Sequence, residues 1–154
     1  MRVYLVQHAE ALSEEEDEAR PLSKEGRDNI SRMAKYAAQQ LDISVDQILH
    51  SGKTRARQTA RILADELTPS EGVKQAEGLG PLDNPRKWGE HIAETDRILM
   101  LVGHLPYMSR LASFLVIGDE EEHILSVRNA GINCLEEKDG AWSIRFVITP
   151  EMLS

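Results

Sequence analysis

Two patterns of apolar residues alternate along this chain: short continuous runs, and apolar residues that recur every three or four positions. Short apolar runs predict strands at residues 3–6 and 98–102, and less apolar segments predict further strands at 46–50 and 73–76. Between the strands, apolar residues recur every three or four positions, which predicts amphipathic helices, and another helix is predicted over 86–93. The predicted buried faces of the three clearest helices are Ile30, Met33, Ala34, Ala37 and Leu41; Ala56, Thr59, Ala60, Leu63 and Leu67; and Met108, Leu111, Ala112 and Leu115.

Local residues mark the ends of two of these helices. Ser23 is a typical N-cap for the first helix, because its hydroxyl can accept a hydrogen bond from a free N–H of the first turn. Pro106 suits the first turn of the last helix, where its missing N–H costs nothing. Gly118 is predicted to end that helix.

Near the C-terminus the hydrophobic period changes to two. Lys138-Asp139-Gly140 separates two alternating segments, which predicts a β-hairpin. Its predicted apolar positions are Ile132, Cys134, Trp142, Ile144, Phe146 and Ile148. Strands that alternate with helices and end in a hairpin predict an α/β fold, a three-layer α/β/α sandwich whose mostly parallel sheet has an antiparallel edge. The length of 154 residues predicts a single domain over 1–154.

Composition narrows the function classes. The formal net charge of −8 argues against a nucleic-acid partner, which requires a basic surface. The acidic run over residues 14–18 predicts a solvated loop, or a surface that meets a basic partner. No apolar run approaches the ~20 residues that span a bilayer, so no membrane association is expected. With Cys134 as the single cysteine and no secretory pattern at the N-terminus, the sequence favours a cytoplasmic location.

Two predicted strands each end at a histidine. His8 follows the first strand and His104 follows the strand at 98–102. In an open parallel sheet, the carboxyl ends of the strands form the floor of the binding crevice. The two histidines are therefore expected to converge on one ligand from rigid positions.

Arginines accompany the histidines at predicted helix starts. Arg55 follows Ser51 in a segment where a strand leads into a helix, and Arg20 shortly precedes the N-cap Ser23. A helix N-terminus presents free N–H groups and a positive dipole end, and an arginine adds a bidentate donor for oxyanions. This combination of residues favours the handling of a phosphoryl group.

Four segments carry these residues in order. They are Leu5-Val6-Gln7-His8-Ala9-Glu10-Ala11, Arg20-Pro21-Leu22-Ser23 with Gly26, Ser51 followed by Arg55-Ala56-Arg57-Gln58-Thr59-Ala60, and Val102-Gly103-His104-Leu105-Pro106. In this order and spacing the chain resembles the histidine phosphatase superfamily in its short form, the SixA-type phosphohistidine phosphatases. That resemblance implies a phosphoglycerate mutase-like fold, in agreement with the sandwich predicted from the hydrophobic pattern.

The resemblance also implies a catalytic role for three residues. His8 stands at the position of the nucleophile that carries the phosphoryl group, His104 at that of the second histidine, and Arg55 at that of an oxyanion clamp. Substrate-binding roles are expected for Gln7, Arg20 and Ser51. No metal, nucleotide or other cofactor is expected.

Chain length favours one substrate class. Larger members of the superfamily carry insertions that build a substrate lid and often supply an acidic proton donor, and this chain has little room for one. A phosphoramidate needs less proton donation because imidazole is a good leaving group, so hydrolysis of protein phosphohistidine is expected. Glu10 stays open as a donor or as a solvated carboxylate.

Gln7 departs from the family pattern, which has arginine before the nucleophile. Glutamine keeps one donor but lacks the charge and the fork. Two alternatives stay open: an inactive pseudophosphatase that binds phosphorylated ligands, and a phosphomonoesterase acting on small molecules. A zinc site built from His8, His50, His104 and Glu10 is disfavoured because a guanidinium in the same crevice would repel the dication. His50 is expected to lie beside the phosphate pocket.

Overall fold

A computed structural model describes residues 1–153 of the chain. Four helices and six strands alternate along it, followed by one turn of 3₁₀ helix. In chain order they are β1 Arg2–Gln7, α1 Lys24–Gln39, β2 Gln47–His50, α2 Thr54–Leu67, β3 Val73–Gln75, α3 Arg86–Glu94, β4 Leu99–Gly103, α4 Tyr107–Ile117, β5 Ile132–Lys138, β6 Ala141–Ile148, and the 3₁₀ turn Pro150–Met152.

The six strands form one mixed sheet. Their order across the sheet is β3-β2-β4-β1-β5-β6. The first three neighbouring pairs (β3·β2, β2·β4 and β4·β1) are parallel, whereas β5 pairs antiparallel with both β1 and β6. The predicted mostly parallel sheet with an antiparallel hairpin at its edge is confirmed.

Helices cover both faces of the sheet. Alternate residues of β1 point to opposite faces, so Tyr4 and Val6 pack into the layer of α1 and α2, while Val3 and Leu5 pack into the layer of α3 and α4. All four of these β1 side chains are buried, as are those of β4. Helices cover both faces of these strands, which explains why their sequences are continuous apolar runs and not alternating patterns.

Two of the three predicted helix ends are confirmed. The Ser23 hydroxyl accepts a hydrogen bond from the Gly26 N–H at 3.0 Å, and Gly118 closes α4 with a left-handed backbone (φ +74°). Pro106 is displaced by one position from the prediction. It is the N-cap of α4, which begins at Tyr107, and its own backbone is already in the right-handed helical region (φ −82°, ψ 0°).

The hairpin forms as predicted, but its alternation is interrupted. Cys134 pairs with Phe146 and Leu135 pairs with Ile144, so Arg145 has no partner and forms a bulge. Because of this extra residue, the apolar side chains before and after the bulge point to opposite faces of the sheet. Trp142 packs into the layer of α3 and α4, Phe146 packs into the layer of α1 and α2, and Ile144 is exposed.

Cys134 is buried in the layer of α1 and α2.

In the described part of the chain, no helix has the length and apolar character to cross a membrane.

Gly26 provides a test of how tightly the segment after β1 packs on α1. A Cβ at this position would lie 2.1 Å from the backbone oxygen of Glu10. Helix propensity alone would make Gly26→Ala stabilising by about 1 kcal/mol. We expect the backbone clash to reverse that sign and to lower the free energy of unfolding by about 1–2 kcal/mol in urea denaturation. The control is Lys35→Ala on the exposed face of α1, which we expect to stay within about 0.5 kcal/mol of the parent.

Candidate active site

The site residues lie at the carboxyl ends of three neighbouring parallel strands. His8 follows β1, His104 follows β4 and Ser51 follows β2. The β1–β4 register pairs Gln7 with Gly103, so the two histidines leave the sheet at the same level. Their ring centroids are 5.2 Å apart, with planes inclined by 56°. The structure thus brings together the two histidines that the sequence places about a hundred residues apart.

The imidazole of His8 is held in one orientation. Its Nδ1–H donates to the backbone oxygen of Ala9 at 2.7 Å, and the carbonyl can only accept, so Nδ1 carries the proton. This tautomer leaves Nε2 with an available lone pair. The side chain is 8% exposed, which allows access to a ligand without general solvation.

Both histidines are neutral at neutral pH. Burial lowers the pKa of His8 to about 4, with smaller contributions from the charges of Arg55 and Arg20, although the bond to Ala9 opposes the shift. Burial also lowers the pKa of His104 to about 3, assisted by His8 and Arg55 and, less, by Lys53 and Arg20. A neutral imidazole with a free ring nitrogen is a competent nucleophile.

His104 contacts the turn between β2 and α2. Its Nε2 lies 2.6 Å from the Ser51 hydroxyl oxygen, and the Lys53 N–H donates to the same oxygen at 3.4 Å. Its Nδ1 is buried and has no hydrogen-bond partner within residues 1–153. The Ser51 contact therefore determines how the His104 ring faces His8.

The N-terminus of α2 brings cationic side chains close to His104. The N-cap Lys53 makes no side-chain capping bond, so the first turn of the helix keeps free N–H groups for an anion. Arg55 lies in this turn, and its Nε is buried without a partner in the described residues. Burial lowers the pKa of Arg55, and the charge of Arg20 adds to this.

Arg20 reaches the site from the loop between β1 and α1. Its backbone is left-handed (φ +49°), and its Nε donates to the backbone oxygen of Leu12 at 3.0 Å. Among the ion pairs of residues 1–153, none involves Arg20, Lys53 or Arg55. Three cations without carboxylate partners in a chain of net charge −8 provide an electropositive site for an oxyanion.

A cavity of about 600 Å³ lies over these cations. Part of the predicted acidic loop, Glu14 and Glu18, also lines this cavity, and the whole run is exposed as predicted. The lining residues are Ser13, Glu14, Glu18, Ala19, Arg20, Lys53, Thr54 and Arg55.

Two other residues singled out from the sequence, Gln7 and His50, have defined contacts in the structure. Gln7 ends β1 beside Gly103, and its backbone oxygen accepts from the Ala130 N–H at 3.0 Å. His50 is buried, and its Nδ1 accepts from the Gly52 N–H at 3.1 Å; burial lowers the pKa of His50, with Arg57 and Arg61 adding to the effect. His50 thus supports the β2–α2 turn from beside the pocket.

The carboxylate of Glu10 is bound at the start of α1. It accepts from the Ser23 hydroxyl at 2.8 Å, and Glu10 lines a separate cavity of about 400 Å³ together with Asn129. Within residues 1–153, no three His, Cys, Asp or Glu side chains are grouped to hold a metal ion.

Sequence reasoning missed the site role of two residues. Thr59 was predicted only as part of a buried helix face, yet its hydroxyl accepts from the Ala9 N–H at 3.0 Å. Asn129 was not singled out, yet its Nδ2 donates to the His8 backbone oxygen at 2.9 Å. A hydroxyl on an otherwise apolar helix face was the available indication for Thr59; the sequence carries none for Asn129.

Comparison with known proteins identifies a family with these features. The model of the histidine phosphatase superfamily (branch 1) matches residues 3–97. An uncharacterized protein of Picosynechococcus sp. strain PCC 7002 is 37% identical over 140 residues, which cover 86% of this chain and 82% of that protein.

Solved structures share the fold over nearly the whole chain. The structure of the protein histidine phosphatase SixA complexed with tungstate superimposes with a TM-score of 0.87, 22% identity and full coverage of both chains. A protein of Agrobacterium tumefaciens assigned as the phosphohistidine phosphatase SixA has a TM-score of 0.77, 25% identity and 97% coverage of both. An Escherichia coli protein assigned as an alpha-ribazole-5'-P phosphatase has a TM-score of 0.76, 17% identity and coverage of 97% and 98%.

The buried histidines predict an unusual titration. We expect the ring signals of His8 and His104 in NMR spectra to show no titration between about pH 5.5 and 8, because their pKa values lie near 4 and 3. Arg55→Met should raise the midpoint of His8 only in part, since burial is the larger cause. His8→Gln and His104→Gln assign the signals. A midpoint near 6.5 for either ring would contradict this account of the site.

Proposed function

Because the chain belongs to the histidine phosphatase superfamily, we propose that it is a phosphatase that hydrolyses phosphohistidine on a protein through a phosphorylated His8. The observation that carries the proposal is the Nδ1 bond from His8 to Ala9, at 2.7 Å. It keeps Nε2 of a neutral ring as the nucleophile, near three cations that form no ion pair with a carboxylate within residues 1–153.

In the proposed first step, the Nε2 lone pair of His8 attacks phosphorus. The P–N bond to the substrate imidazole breaks, its electron pair goes to the leaving nitrogen, and that nitrogen takes up a proton from solvent water. Arg55, Arg20 and the first turn of α2 bind the non-bridging oxygens, and His104 approaches them from β4. The transition state is loose and rich in charge, so positioning and positive charge supply most of the rate.

In the second step, water attacks phospho-His8 and releases inorganic phosphate. The P–Nε2 bond breaks and its electron pair returns to the ring, which restores the neutral histidine. Neither step calls for a metal or another cofactor, and we propose that the enzyme uses none.

Leaving-group chemistry supports phosphohistidine over a phosphate ester. An alkoxide leaving group depends more strongly on a proton donor than imidazole does. The carboxylate of Glu10, the donor considered from the sequence, is bound by Ser23 at the start of α1. Small-molecule phosphatases share this fold, so the choice of substrate class rests on the leaving group. We place the enzyme in the cytoplasm, with its single cysteine buried.

The first test is to trap the covalent intermediate. With a phosphohistidine protein as substrate, we expect an acid-labile phosphoenzyme that forms, decays and is absent in His8→Ala. Turnover should be unchanged by a chelator. The control is His91→Ala, which removes a histidine on α3, outside the site.

Three outcomes separate the alternatives. Absence of phosphoenzyme and of turnover, in a folded protein that still binds phosphate, would replace the enzyme with a binding protein for phosphorylated ligands. Preference for a small phosphomonoester would keep the mechanism and change the substrate. Loss of activity with a chelator would require a metal and would overturn the mechanism.

Gln7 provides a test of the charge at the site. We expect Gln7→Arg to raise turnover by about 10–100-fold, because a charge-assisted contact to a phosphoryl oxygen is worth about 1.5–3 kcal/mol. Gln7→Lys should gain less, since it adds the charge without the bidentate fork. Steady-state kinetics measure both variants. A flat or lower rate for Gln7→Arg would show that Arg20 or Lys53 already supplies this charge, or that residue 7 does not face the phosphoryl group.

A further inference from the structure

The peptide bond between His8 and Ala9 is held by side chains from two other parts of the chain. The N–H of Ala9 donates to the Thr59 hydroxyl oxygen at 3.0 Å, from α2. The carbonyl of His8 accepts from Asn129 Nδ2 at 2.9 Å, from the segment before β5. Both polar groups of this peptide unit are therefore bound by side chains, although the chain has already left the β1–β4 ladder there.

Thr59 connects this peptide to the arginine turn of α2. Its hydroxyl donates to the backbone oxygen of Arg55 at 2.8 Å, so the hydroxyl hydrogen is committed and a lone pair faces Ala9. The side chain is fully buried, so water does not replace either bond in the folded protein. One hydroxyl thus ties the segment of His8 to the turn that carries Arg55.

Asn129 binds the carbonyl of the same peptide unit, and a second, weaker donor lies nearby. The next residue, Ala130, has a left-handed backbone (φ +61°), and its N–H donates to the Gln7 oxygen at 3.0 Å. The same N–H also lies 3.4 Å from the His8 oxygen. Loss of the Asn129 side chain therefore leaves the carbonyl of His8 with a weaker donor.

The orientation of Ala9 in turn determines the state of the His8 ring. Ala9 is buried and supplies both the N–H that Thr59 binds and the carbonyl that accepts from Nδ1. Rotation of the backbone at Ala9 would release Nδ1–H, so the proton could move to Nε2 and block the lone pair that attacks phosphorus. The ring tautomer depends on how firmly this residue is held.

We propose that Thr59 and Asn129 are positioning residues that keep the reactive tautomer of His8, and this rests on the proposed role of His8 as nucleophile. Thr59 carries the larger effect because it is buried and also binds the carbonyl of Arg55. Neither residue lines the cavity over Arg20, Lys53 and Arg55. Their loss should therefore lower the rate of phosphoryl transfer and leave the affinity for phosphate nearly unchanged.

The test compares Thr59→Val, which keeps the shape and removes the hydroxyl, with Thr59→Ser, which keeps the hydroxyl. We expect Thr59→Val to lower the rate of phosphoenzyme formation by about 10²-fold with KM within about threefold. Thr59→Ser should recover most of that rate. In ¹⁵N spectra of the free enzyme, Thr59→Val should show Nε2–H character on His8, absent from the parent and from Thr59→Ser.

Two further variants keep the test decisive. Thr149→Val makes the same change at another buried threonine, whose hydroxyl has no partner in the described residues, and should change neither rate nor spectrum. Asn129→Ala lies at an exposed position that should fold even if Thr59→Val does not. It should lower the rate less, by about 3–10-fold, because the Ala130 N–H remains near the His8 oxygen.

The outcomes separate this inference from the proposed function. If the parent forms no phosphoenzyme, the proposed function fails, and the ¹⁵N spectrum still reports whether Thr59 sets the tautomer. If the parent is active and Thr59→Val keeps both its rate and its spectrum, the positioning role is wrong. Equal losses in Thr59→Val and Thr59→Ser would assign the effect to packing and would also overturn it.

Discussion

The arrangement of the site depends on the parallel pairing of β1 with β4. Gln7 lies opposite Gly103, and the His8 N–H extends the ladder by donating to the Gly103 oxygen at 2.9 Å. Because successive side chains face opposite layers, a slip of one residue would move every buried side chain of β1 from one closely packed helix layer into the other. Leu5 and Val6 are both fully buried, so the core opposes such a slip and thereby holds His8 beside His104.

Burial and positive charge then act in the same direction on these histidines. Both lower the pKa of His8 and of His104, so the rings stay neutral beside Arg55. In the unfolded chain the two histidines bind protons near pH 6.5. In the folded protein His8 binds a proton only near pH 4, and His104 only near pH 3. Lowering the pH through that window therefore favours unfolding. The same burial and positive charge that keep His8 and His104 neutral reduce the stability of the fold in mild acid.

Side-chain hydrogen bonds join this site to structure on both sides of β1. Thr59 links Ala9 to α2, and Asn129 links His8 to the start of the antiparallel hairpin. His8, the cationic start of α2 and the edge of the sheet are thus one connected unit. This connection explains why a site at the end of a strand can be held rigidly where strand pairing has ended.

The sequence by itself determined the elements, the sheet class and the positions of His8, His104 and Arg55, because apolar period, caps and strand ends are local properties of the chain. It also singled out Arg20 and Ser51, and the structure places Ser51 against His104 and Arg20 in the cavity that Arg55 lines. Only the tertiary structure decided that Glu10 binds Ser23, that Arg145 forms a bulge and that Thr59 and Asn129 bind the His8–Ala9 peptide. These contacts join residues far apart in the chain, through single hydrogen bonds and a register shift that produce no periodic pattern.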